Sequence, residues 1–181
     1  MQYDAALGVF RLDRTLYSPV EYPCEYGFIP STFGGDGDPL DLLVLSSEPT
    51  FPGCLIAVRP VARLGFHDEH GDDAKILSVP VADPRFRAVH DSKSILPHTL
   101  REIEEFFRTY SALEKKPKIL EGWSGRAAAL QEIRAAHRRF LSAENHAVGE
   151  DAPEKRGRPA RQETRDSKGP RWGRSRSRTT G

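Results

Sequence analysis

The stretch GGDGDPLD, from Gly34 to Asp41, is the part of this 181-residue chain that most restricts how it folds. It crowds the carboxylates of Asp36, Asp38 and Asp41 into six residues, between glycines and a proline that exclude a regular helix or strand. At an effective dielectric of about 20 and a spacing of roughly 5 Å, each close pair of ionised carboxylates repels by about 3 kcal/mol unless a proton or cation intervenes. A hard divalent cation relieves the crowding. Magnesium suits a short acidic loop with open sides, because it takes a few carboxylate oxygens together with waters and phosphate oxygens. The plain alternative is a solvated turn, since Gly, Asp and Pro are the usual turn residues.

A second acidic stretch weighs against the solvated turn. HDEHGDDAK, His67 to Lys75, carries Asp68, Glu69, Asp72 and Asp73, ends on a lysine, and follows a segment that reads as a strand. Brought together by a fold, the two stretches hold two or more cations around a polyanion, with Lys75 placed to touch a phosphate oxygen. Two other cation readings are weaker. A calcium loop of the helix–loop–helix kind needs Gly at its sixth position and a bidentate Glu at its twelfth, where this chain has Asp41 and Ser47. Zinc on His67, Asp68 and His70 competes with simple solvation of a turn.

Charge divides the chain. Residues 155–181 hold ten Lys and Arg against two Asp and Glu, which gives a tail of +8 on a body of −7 within a formal total of +1. An acidic body argues against nucleic acid as a substrate. Beyond Glu144 the apolar periodicity stops, and an Arg-, Gly-, Ser- and Pro-rich composition predicts a disordered tail over 144–181 behind a domain over 1–143. The tail is expected to be solvated without a fixed partner, and contact with RNA or an acidic surface through it is the lesser alternative. Cys24 and Cys54 show no CxxC spacing and are expected to be small buried hydrophobes. MQYDAALGVF has neither a basic leader nor an apolar core, and no apolar run approaches the ~20 residues that span a bilayer, so a cytoplasmic protein without membrane contact is expected.

The runs LGVFRL, EYGFIP and LDLLVL, then Leu55–Phe66 and Ala74–Val81, read as five strands arriving before any helix, with Pro60 marking an edge or a bend. That order favours a closed or nearly closed barrel. Leu100, Ile103, Phe106, Phe107, Tyr110 and Leu113 recur at helical steps from Pro97 to about Lys115. A second helix is expected from about Gly125 to Leu141, behind a Ser124 cap, with His137 as a half-buried packing residue.

The run EYPCEYGFIPSTFGGDGDPLDLLVL resembles the signature region of soluble family I inorganic pyrophosphatases, in which a D-x-D-P-x-D loop follows a Y-P-x-x-Y-G-x-I strand. The resemblance continues through PGCLIAVRPVARLGFHDEHGDDAKILSVP, FFRTYSALEKK and EGW, and covers about residues 3 to 141. It implies an α+β, mainly β protein: a five-stranded OB-like closed barrel with two flanking helices, which hydrolyses inorganic pyrophosphate with magnesium. By the same resemblance Asp36, Asp41, Asp73 and Asp68 are metal ligands with Glu69 beside them, and Asp38 is the general base. Arg14, Tyr26, Lys75 and Tyr110 match groups that grip phosphate, and Tyr22 matches a tyrosine lining the site. A homo-oligomer, a hexamer as in bacterial members, is implied as well.

The sequence departs from that pattern at its start and in its first helix. The family has a glutamate and a phosphate-binding lysine ahead of the first strand and then a second glutamate, whereas here Gln2 follows Met1, and Ser111 stands where a lysine follows the tyrosine. These departures set up an alternative expectation, a weak or inactive binder of metal and phosphate.

Overall fold

The computed structural model describes residues 2–4, 7–12, 15–16, 19–68, 71–109 and 119–150. Strands β1 (Gln2–Asp4) and β2 (Val9–Arg11) pair as a separate two-stranded hairpin. The main sheet contains β3 (Glu25–Phe28), β4 (Asp41–Val44), β5 (Val58–Asp68), β6 (Gly71–Pro80) and β7 (Ile119–Gly125), in the spatial order β3-β4-β6-β5-β7. All its neighbours are antiparallel except β4 and β6, which run parallel. Helices α1 (Pro97–Thr109) and α2 (Arg126–Glu150) complete the described fold.

The sheet is therefore mixed and five-stranded, with two helices, but its membership differs from the sequence reading. LGVFRL contributes β2 to the hairpin and not to the sheet, and the fifth strand is β7, which comes between the two helices. Closure into a barrel is absent from the described pairings, whose linear order leaves β3 and β7 as edges. β7 escaped notice because ILEGWSG carries two glycines and a charge, a poor strand pattern on its own. Its pairing with β5 supplies what propensity does not. Pro60 marks a bend: the β5–β6 register shifts between Pro60 and Ala62, as expected where a strand residue has no N–H to donate.

Both faces of the sheet are covered, and the two-residue period of the strands sorts side chains between them. Leu43, Leu77 and Val79 pack with Ile103, Phe106 and Phe107 of α1. Leu42, Val44, Ala74 and Ile76 pack with Ala129 and Ala136 of α2. Full burial of each large apolar side chain is worth about 2 kcal/mol, so α1 is held chiefly by Ile103 and its two phenylalanines. The start of α2 is capped from elsewhere in the chain. Ser124 lies inside β7, and Asp91 instead accepts the Arg126 N–H at 2.9 Å and the Lys93 N–H at 3.3 Å. Gly125 makes room for this, since a Cβ there would sit 2.8 Å from an Asp91 oxygen. The expected packing role of His137 is not met, because its side chain is exposed; Cys54 is exposed too, Cys24 is half-buried, and both thiols are free.

Candidate active site

Strand register builds the centre of the site. Asp41 opens β4 opposite Lys75 of β6, and Asp73 lies two residues before Lys75, so all three share the α1-facing side of the sheet. The Lys75 side chain is 4% exposed, and its ammonium lies 2.5 Å from Asp41 Oδ2 and 3.1 Å from Asp73 Oδ2. Among the described residues three rings also stand near it: Tyr26, Phe66 and Phe107 have centroids 5.9, 5.7 and 5.5 Å from Nζ. Burial pushes the lysine pKa down, yet the charges of Asp41 and Asp73 and their hydrogen bonds outweigh it and raise the pKa above its ordinary value. Lys75 is therefore a cation at neutral pH.

Tyr26 comes from β3, where it pairs with Leu43 of β4. Although 41% of its surface is exposed, crowding withdraws its hydroxyl from water, and this with the adjacent Asp41 charge raises its pKa well above the ordinary tyrosine value. The hydroxyl stays protonated and hydrogen-bonds to Asp41. Tyr22 stacks between Tyr26 and Phe106 at centroid distances of 4.9 and 4.6 Å.

The acidic loop before β4 is bound mainly to itself. Ile29 N–H donates to Leu40 O at 2.9 Å, and Gly34 N–H to Asp38 O at 2.7 Å. The buried Thr32 hydroxyl donates to Ile29 O at 2.5 Å and accepts from Leu40 N–H at 3.1 Å. Asp36 turns one carboxylate oxygen onto the Asp38 N–H at 3.1 Å, and both residues are exposed. Among the expected site residues, then, Asp41, Asp73, Lys75, Tyr26 and Tyr22 are brought together, whereas Asp36 and Asp38 stand on the exposed loop. Asp68 ends β5, its backbone in register with Gly71. Arg14, Glu69 and Tyr110, like Ser111, lie outside the described residues.

The donors suit a hard divalent cation. Oxygens from Asp41 and Asp73 already meet at one positive charge, and one or two carboxylates completed by waters and phosphate oxygens are magnesium's usual share of protein ligands. Among the described residues no group of three or more His, Cys, Asp and Glu is gathered as a metal cage. Sequence reasoning missed the rings of Phe66 and Phe107 around Lys75. The FF pair of the first helix was legible only as core, because no local pattern links it to a lysine on a strand.

A mixed sheet covered by a helix on each face, with carboxylates of adjacent strands converging on a buried ammonium beside an acidic loop, defines an α+β protein with a site for concentrated charge. Residues 1–141 match the family model described as inorganic pyrophosphatase. An inorganic pyrophosphatase of Methanosarcina acetivorans is 49% identical over 140 residues, covering 77% of this chain and 83% of that protein. One from a Nostoc species is 52% identical over 122 residues, covering 67% and 72%. The crystal structure of inorganic pyrophosphatase from Thermus thermophilus superposes with a TM-score of 0.74 at 44% identity, over 77% of this chain and 82% of that one. The chain belongs to the inorganic pyrophosphatase family.

Proposed function

We propose that this chain hydrolyses inorganic pyrophosphate to two phosphates with magnesium, using an activated water as nucleophile. The family match supports the reaction, and the observation that carries the site is the meeting of Asp41 and Asp73 at a single cation. Asp41, Asp73, Asp36 and Asp68 would hold the metal, with Glu69 beside them. Once bound, magnesium offsets the charge of pyrophosphate and acidifies the attacking water. The chain's own groups do the rest.

Asp38 is the general base: it is exposed on the loop, its carboxylate has no hydrogen bond to any described residue, and it takes the proton of the water onto a carboxylate oxygen. Lys75 supplies a fixed positive charge, and hydrogen bonds to a charged phosphate oxygen are roughly twice as strong as neutral ones. Arg14, Tyr26 and Tyr110 complete the grip on phosphate, and Tyr22 braces Tyr26. The raised pKa of Tyr26 keeps it a donor across the neutral range.

The reading takes the protein as cytoplasmic; no helix among the described residues is long and apolar enough to cross a membrane. The reading also includes a homo-oligomer, a hexamer as in bacterial members, and a catalytic domain over 1–143. The inactive alternative drawn from Gln2 and Ser111 finds no support among the relatives, which carry the name of the enzyme. The test is phosphate release from pyrophosphate with magnesium, which ceases on chelation. Asp38→Asn is expected to lower kcat at least about 100-fold, the lower range of general-base contributions. An inert wild type, or a variant as fast as wild type, contradicts the proposal.

A further inference from the structure

We propose that Arg139 and His137 of α2 are positioning residues for the proposed reaction, latching the acidic loop from the far side of the sheet. This rests on the reading of Asp38 as the general base. α2 packs on the face opposite Lys75, yet its residues 136, 137, 139 and 140 all reach the segment just ahead of Gly34. Arg139 Nε donates to Phe33 O at 2.8 Å. His137 Nδ1 lies 2.8 Å from Ser31 O, so Nδ1 carries the proton and donates. Ala136 O accepts the Phe33 N–H at 3.0 Å, and the rings of Phe33 and Phe140 lie 5.2 Å apart.

The latch addresses a specific weakness. The loop is closed at its neck by Thr32 and the Ile29–Leu40 pair, but its tip contains Gly34, Gly35 and Gly37, which leave many backbone conformations open. Ser31 sits at φ +56°, a left-handed conformation that a serine keeps only when its surroundings fix it. His137 grips the carbonyl of that residue. The Arg139 guanidinium is itself aimed, because Nη2 binds Glu132 at 3.1 Å and Glu132 faces Arg63 of β5 at 3.5 Å. The line Arg63–Glu132–Arg139–Phe33 thus runs from a central strand to the base of the loop. Misplacing a reacting group by about 1 Å can cost on the order of 100-fold in rate, so orientation of this backbone acts directly on Asp38.

Amide hydrogen exchange of the full chain, without metal or substrate, tests the latch independently of turnover. Arg139→Ala and His137→Ala are each expected to speed exchange at the Gly34 and Leu40 amides about tenfold, the effect of one net hydrogen bond, while β5 and β6 amides keep their protection. Arg138→Ala removes a neighbouring exposed cation of α2 and is expected to match wild type. In turnover, both latch variants are expected to lose kcat about tenfold with KM for magnesium pyrophosphate within about twofold, and Arg139→Lys to recover part of the loss. Unchanged exchange at Gly34 and Leu40, or faster exchange with wild-type kcat, overturns the proposal, as does an equal loss in Arg138→Ala. If Arg139→Ala does not fold, the exposed His137→Ala decides alone. A wild type inert toward pyrophosphate refutes the assigned reaction, and with it the catalytic role of the latch, while the exchange result still decides whether α2 holds the loop.

Discussion

Lys75 is the residue on which the charge balance of the site depends. The Lys75 side chain is 4% exposed between two carboxylates, and its replacement by Met removes the ammonium that Asp41 and Asp73 share. Loss of one partner from a buried ion pair typically costs 3–5 kcal/mol, and because the two acids keep some solvent contact we expect about 3 kcal/mol for Lys75→Met, read from urea unfolding without divalent ions. Alkali acts on the same group. Above the ordinary lysine value of 10.5 the unfolded chain sheds a proton that folded Lys75 retains, so this stabilisation is complete below that pH and is lost as pH climbs further. Cys24 acts in the same direction, its thiol pushed from 9.0 up to about 12 by burial and by the Glu25 charge. The urea midpoint is therefore expected to start falling near pH 9, less steeply in Cys24→Ala. The acidic residues were legible in the sequence because crowded carboxylates violate a local rule, and Lys75 because it closes such a run. Arg139 and His137 were not legible: their partners are backbone carbonyls 106 positions away, which leave no mark on residue type.

Among the elements, the helices were the most legible and their ends the least. Pro97 marked the start of α1, and the second helix was found but runs to Glu150, past the last apolar residue of its stripe, so residues 144–150, expected to be disordered, are helical although no apolar period signals it. Its cap was misplaced because Asp91, which performs it, belongs to another segment. The hydrogen bonds that Asp91 accepts, that of Arg126 foremost, hold its pKa below the usual carboxylate range. Asp91→Ala is accordingly expected to lower the melting temperature and to fray the first turn of α2, measured by circular dichroism and by exchange at Arg126 and the amides after it. The same loss is expected in wild type as pH falls below the ordinary carboxylate value, because a depressed pKa gives stability that acid removes.

For the molecule as a whole, composition separated a body of −7 from a tail of +8, and the match to the family ends at residue 141, well before the basic run begins. We propose that the two parts act separately. A chain ended after Glu150, which keeps α2 entire, is expected to hydrolyse pyrophosphate at the wild-type rate, whereas any affinity of the full chain for RNA is expected to vanish with the tail and to weaken steeply with salt. Electrophoretic mobility at two salt concentrations, beside a phosphate-release assay, checks both. The mixed sheet was only partly legible for a related reason: which strands become neighbours is settled by packing over long sequence distances, and among the described strands β7 pairs with β5 alone.

The alignment of Asp41 with Lys75 also acts as a check on folding. Shift β4 by one position along β6 and its side chains exchange faces: Asp41 enters the apolar layer under α2, while Leu42 meets the ammonium. Such a mistake is penalised twice, by an unpaired Asp41 carboxylate in one layer and by an ammonium left with Asp73 alone in the other, so the nascent sheet rejects it without help from any ligand. The chemistry that a polyanion will later meet is thus already at work when the strands first choose their partners.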